Sequence, residues 1–288
     1  MKDAARLLAY AIATLLFGAL AAPPLYWAAR RFVPALGGFD FESFFHRALL
    51  VGALLFLWPL LRSLEIRRWR DLQLEKNDRA LRDVSVGAAA AAIPLLLGGV
   101  VLVLLGIWIL RPAVDFAGLL QRTASAVVVP FIEEPIFRGL LLGILLRSMP
   151  AALAMFLSSA LFSILHFLKA PEGTSTVVTW ASGFVSIGNA FSQFADPMLV
   201  LASFTTLFLL GWILADARIR TRSLWLPIGL HAGWIFANAL FNKVAQRQFE
   251  ALPWIGRNLL IGLAPLGVAV VTWALVRWWL SYVERPRT

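Results

Sequence analysis

Residues Val127–Leu145 read VVVPFIEEPIFRGLLLGIL. Apart from Glu133, Glu134 and Arg138, the stretch is apolar or small. A bilayer-crossing helix needs about 20 mostly apolar residues, and this run has that length and character. Ionisable groups at such depth are costly and normally face a protein interior or a water-filled cavity. The stretch therefore reads as a membrane helix that carries chemistry. The rest of the 288-residue chain agrees: 60% of it is hydrophobic and 15% charged, and the mean hydropathy is +0.79. A soluble domain has about 45–50% apolar and about 25% charged residues. With no Cys in the chain, disulfides, thiolate metal sites and Cys nucleophiles are excluded.

Outward from that stretch, eight charge-poor apolar runs are candidate spans: Leu7–Ala29, Ala48–Leu61, Val84–Leu110, Thr123–Leu146, Ala151–Phe167, Pro197–Ala215, Ser223–Phe241 and Asn258–Val276. The expected fold is an all-α, polytopic membrane helical bundle of about eight transmembrane helices. The first run begins like a signal peptide, with Lys2 and Arg6 before the apolar stretch and Ala19–Ala21 as a small-residue site. It continues to Tyr26 and Trp27, residues suited to an interface, and reads as an uncleaved helix. With the N-terminus inside, sixteen Lys and Arg fall in inner segments and nine in outer ones, which predicts N-in and C-in. The net charge of +10 then reflects basic cytoplasmic loops and not nucleic-acid binding. Arg62–Asp83, the most charged segment, reads as a solvated connector, with acidic lipid headgroups as the other reading. Gly173–Ala195 is uncharged and reads as an outer loop with an interfacial piece. Ala88–Ala92 reads as close-packing helix.

The ionisable groups at depth are Glu133, Glu134, Arg138, His166 and His231, with Asn238 as an uncharged polar companion. Glu134 and Arg138 are four apart and share a helix face, which predicts a buried ion pair. Glu133 points about 100° away from Glu134 and has no cation on its own helix. Desolvation beside a second acid suits it to taking up a proton as a general base. Pro130 and Pro135 interrupt the backbone ladder close by, which predicts a kink. His166 ends the fifth run, one turn after Phe162, and His231 lies inside the seventh. Counted from the inner ends, Glu133, His166 and His231 lie at depths of roughly 21, 22 and 13 Å. They meet only if the seventh helix tilts or starts deeper. His46, in DFESFFHRALL, reads as a boundary residue.

These residues resemble a known pattern. EEPIFR, Glu133 to Arg138, is similar to the EExxxR motif of the CPBP family, the CAAX prenyl proteases and bacteriocin-processing proteins also called the Abi family. FSILH, Phe162 to His166, resembles its FxxxH motif, and His231 matches the His of its HxxxN motif. The resemblance spans Thr123–Phe241 and departs at one place: Ile235 stands where the family has Asn. Asn238, two turns after His231, is the available substitute. The resemblance implies a bundle with a polar intramembrane cavity, in which Glu133 activates water for attack on a peptide carbonyl and His166 and His231 line the same space. It leaves two mechanisms open. In one, Glu133, His166 and His231 hold Zn²⁺. In the favoured one there is no metal, and His231 donates to the oxyanion, because the neighbouring residues look too apolar to supply the acceptors that metal-bound imidazoles require.

The domain expectation is 1–122 as N-terminal transmembrane helices with a basic cytoplasmic loop, 123–241 as catalytic core, and 242–288 as C-terminal helix and tail. The functional expectation is an intramembrane endopeptidase of a bacterial inner membrane, acting on a membrane-associated peptide or protein. The partners are that substrate and the bilayer, with no nucleic acid. A degenerate scaffold or immunity protein of the same fold is the alternative, kept open by Ile235. A proton-coupled transporter using Glu133 and the His residues as a relay is a third reading. It is disfavoured because no acidic pattern repeats in the second half of the chain.

Overall fold

The computed structural model describes residues 2–33, 38–75, 77–167 and 177–283. In chain order the elements are α1 (Lys2–Phe32), α2 (Phe41–Ser63), a 3₁₀ turn (Trp69–Leu72), α3 (Ala80–Leu104), β1 (Trp108–Leu110) and α4 (Phe116–Glu134). There follow a π-helical segment (Pro135–Leu141), α5 (Leu142–Leu145), α6 (Ala151–Phe167), α7 (Ser182–Ala190) and a second 3₁₀ turn (Phe191–Ala195). The chain ends with α8 (Pro197–Thr221), α9 (Trp225–Val244), β2 (Ala245–Arg247) and α10 (Leu263–Val283). Each of the eight apolar runs overlaps helix, but Val84–Leu110 ends in β1 and Asn258–Val276 begins in the loop before α10. Five helices are long and apolar enough to cross a membrane: Ala5–Phe32, Phe41–Ser63, Ala80–Leu104, Pro197–Thr221 and Leu263–Val283. Ala151–His166 is apolar but shorter. The protein is an all-α integral membrane protein, and many large apolar side chains, among them Leu54, Leu97, Val127, Leu165 and Val270, face outward. Such outward faces are stable against acyl chains and not against water.

The helices form two compact units. The first contains residues 1–68 and 167–196. Here α1 and α2 pack side by side around Ala22, Phe41, Phe45 and Ala48. The Tyr26 ring meets Phe41 and Phe44 edge-on. α1 continues through Ala19–Ala21 without a break. In the Gly173–Ala195 stretch, the described part holds α7, which is nine residues long and too short to span. Lys76, Lys169, Arg285 and Arg287, which entered the charge reading, lie outside the described residues, as does the C-terminal segment after Val283. His46 belongs to this first unit.

The second unit contains residues 69–166 and 197–288. Its centre is α9, which packs most extensively against α3. The approach is backbone to backbone: a Cβ on Gly87 would lie 2.6 Å from Leu226 O. Gly229 and Gly233 lie against the Val84 and Ala88 carbonyls of α3. Small residues four apart on α9 thus bring the two helices together, as is usual where lipid leaves van der Waals contact as the main attraction. Around this seam Leu210, Ile213, Leu214, Leu226, Leu230 and Trp234 form the core. The sequence patterning did not reveal a two-stranded antiparallel ribbon, which pairs Trp108 with Arg247 and Leu110 with Ala245. It ties the exit of α3 to the exit of α9. Asp115 caps α4 by accepting from Gly118 N, and it pairs with Lys243 Nζ at 2.7 Å.

The basic connector is less solvated than the sequence implied. Leu72 is buried and lies against Gly139. Leu224 N donates to Gln73 O, and Trp225 Nε1 donates to Glu75 O. The chain around residues 69–75 therefore folds over the start of α9 and the π segment.

Candidate active site

α4 delivers Glu133 and Glu134 at its last turn, where Pro135 enters and the helix widens. From Pro135 to Leu141 the turns are π-helical, and Leu142 N donates to Phe137 O five residues back. A proline that cannot donate at this point gives a local cause for the irregularity. The predicted kink is thus a π segment, a feature that often accompanies functional sites.

Glu134 and Arg138 are both fully buried, with Arg138 Nη1 3.1 Å from Glu134 Oε1. The expected ion pair is present, and its surroundings come from three other helices. Arg138 Nη2 donates to the Gly211 carbonyl of α8 at 3.3 Å. The guanidinium carbon lies 4.2 Å from the centroid of the Phe162 ring on α6. On α9, His231 Nδ1 lies 2.7 Å from Glu134 Oε1. Phe162 also stacks on His166, with centroids 4.0 Å apart, and meets Phe137 edge-on. One ring therefore spaces Arg138 from His166.

Glu133 has the other environment. Its Oε2 lies 3.2 Å from His166 Nε2 and 3.9 Å from His231 Nε2. The Glu133 and His166 side chains are 27% and 28% exposed, whereas His231 is 9% exposed. Glu133 was read as lacking a cation on its helix. Its partner comes instead from α6, 33 positions away, which no local spacing reveals. The three residues meet although α9 places His231 only six positions after Trp225.

Hydrogen-bond chemistry fixes the tautomers. His166 Nδ1 lies 2.8 Å from Phe162 O. A carbonyl only accepts, so Nδ1–H donates to it. His231 Nδ1 correspondingly donates to the ion-paired Glu134. Both Nε2 atoms are left facing Glu133. The sequence premise that the imidazoles lack acceptors is thereby corrected: each has one. Such acceptors orient an imidazole whether or not it binds a metal. Among the described residues, however, no group of three or more His, Asp or Glu is arranged to hold a metal ion. Glu133 Oε2 is engaged directly by His166 Nε2.

Asn238 is occupied elsewhere. Its Oδ1 accepts from Leu259 N at 3.1 Å and from Asn242 Nδ2 at 3.3 Å, joining α9 to the loop before α10. Ile235, one turn after His231, brings no donor. The Gly211 carbonyl was not anticipated, because a backbone acceptor leaves no mark in sequence. Two apolar cavities of about 310 and 350 Å³ lie between α3, α4 and α9, and between α3, α10 and the loop that precedes it. Neither is lined by Glu133, His166 or His231. The polar groups meet instead at a partly open edge of α4 and α6.

A family model described as type II CAAX prenyl endopeptidase Rce1-like matches residues 115–240. No curated protein and no solved structure matches the chain. The matched segment contains all three motif regions and every residue placed around Glu133 and Glu134 above. Over residues 115–240 the chain is thus similar to the type II CAAX prenyl endopeptidase domain of the CPBP family.

Proposed function

We propose that the protein is an intramembrane endopeptidase whose general base is Glu133. The observation that carries this reading is the convergence of His166 Nε2 and His231 Nε2, from two different helices, on Glu133 Oε2. Peptide hydrolysis requires a base for water and donors for the developing oxyanion. Glu133 takes a proton from water as the oxygen attacks the scissile carbonyl carbon. His166 shares that proton through its Nε2 contact and passes it to the leaving amine. His231 donates to the oxyanion from Nε2. Because Nδ1–H is committed to Glu134, that donation needs a doubly protonated ring, whose charge Glu134 balances. This assigns Glu134 and Arg138 the work of holding His231, and Phe162 the work of holding His166. With Ile235 at the motif's Asn position, His231 is the principal oxyanion donor.

The substrate class is a membrane-associated peptide or protein. The name of the matched family favours a lipidated C-terminus over a leader peptide or a sorting anchor. The proposed setting is a bacterial inner membrane with both termini inside. Comparison of membrane-protein termini in cells with the wild type or with E133Q tests the activity. New uncleaved termini in E133Q support the reading, and identical termini favour the scaffold alternative that Ile235 keeps open. The chemistry is tested on purified protein. Activity that survives chelation is expected, whereas one equivalent of bound zinc whose removal and return abolish and restore activity would make Glu133, His166 and His231 ligands.

A further inference from the structure

Arg218 lies in the last turn of α8 and is 9% exposed. Its Nε is sealed from solvent without a hydrogen-bond partner, and among the described residues no hydrogen bond or ion pair engages its guanidinium. The other charges buried in this unit are paired. Asp83 meets Arg82 and Glu134 meets Arg138. Asp216 meets Arg220, Arg277 and Trp273 Nε1. Asp216 is two positions from Arg218, about 200° around the helix, and so serves the opposite side. A buried cation without a counter-charge is strongly unfavourable, so an anion from outside the chain is the physical complement. The packing beside the guanidinium is open at one position. Gly143 of α5 has no side chain beside Nη2: a Cβ there would stand 3.7 Å from that atom and touch nothing else within 4 Å. α8 is long and apolar enough to cross a bilayer, and a cation in its last turn therefore sits at the depth of lipid headgroups.

We infer that Arg218, over the gap at Gly143, is the anchor of a binding site for the phosphate of an anionic membrane lipid. Planar guanidinium donors suit a phosphate, which accepts two parallel hydrogen bonds. The site is independent of the activity proposed above. Gly211, whose carbonyl holds Arg138, lies seven positions earlier on the same face of α8.

The test uses the full chain in nanodiscs of phosphatidylcholine, alone or mixed with phosphatidylglycerol, read by thermal unfolding and by the lipid retained in native mass spectrometry. Wild type is expected to melt higher with phosphatidylglycerol and to retain it. R218Q is expected to lose the increment and to bind that lipid about tenfold more weakly, the loss of one charge-assisted contact. R218K, which keeps a cation, should fold and keep part of the increment. If R218Q keeps the full increment, the site is not at Arg218. Inorganic phosphate, or a peptide with a free C-terminal carboxylate, replacing phosphatidylglycerol in full would also overturn the lipid assignment. E172Q/E284Q neutralises the acidic side chains outside the described residues. It should retain the increment, and a fall in its melting point in phosphatidylcholine alone, matching that of R218Q, would make the counter-charge intramolecular and end the proposal.

Discussion

Replacing Arg138 with Ala is the sharpest test of how the site is built. In the wild type the guanidinium has Glu134 Oε1 at 3.1 Å, Gly211 O at 3.3 Å and the Phe162 ring at 4.2 Å, all in a fully buried setting. Removing it leaves the Glu134 carboxylate with His231 Nδ1–H as its remaining partner. Stranding one half of a buried ion pair costs about 3–5 kcal/mol. The cation–π contact, worth up to about 2 kcal/mol when desolvated, lies within that figure and is not added to it. Against a total stability of about 5–15 kcal/mol, R138A should accumulate poorly and melt far below the wild type. The cycle with E134Q and R138M makes the prediction quantitative. E134Q/R138M should cost less than the sum of the two single changes, because the double variant leaves no uncompensated charge. Thermal unfolding in detergent, followed by loss of monodisperse protein, reads all four members. A wild-type melting point for R138A, or strictly additive single changes, would refute the clasp and turn Arg138 towards the substrate.

Three further outcomes follow from the same geometry. H231A removes an oxyanion donor, with an expected rate loss of about 10²–10³, while E133A should leave almost no activity; equal and total loss in both would contradict the division of roles. The Lys243 ammonium and Gly118 N hold the Asp115 carboxyl below the ordinary carboxylate range, so its contribution to stability is complete above that range and fades as pH falls through the lowered value. Melting points of wild type and D115N should accordingly differ at neutral pH and converge in acid, whereas a constant gap would show that charge is not the cause. G229A forces a methyl group into the Val84 carbonyl of α3, and because backbone cannot rotate away, a cost of about 1–3 kcal/mol is expected; an unchanged melting point would mean that the α3–α9 seam yields freely.

The sequence by itself determined the class of molecule and the residue types of its chemistry. Apolar runs must cross or enter a membrane, and a carboxylate or imidazole inside one needs a partner. That is why EEPIFR, Phe162, His166 and His231 were legible, and why the Glu134–Arg138 pair, which needs only helical spacing, was found in full. Only the tertiary structure decided which groups meet. Glu133 seemed to lack a cation because His166 arrives from another helix. The two imidazoles seemed to lack acceptors because one is a backbone carbonyl and the other is Glu134, 97 positions from His231. Asn238 shares a helix face with His231, yet the loop before α10 takes its carbonyl. Periodicity specifies the face on which a residue stands, not the neighbour packed there. The close contact of α3 with α9 and the chain folded over the start of α9 fix that neighbour, and both depend on residues far apart in sequence.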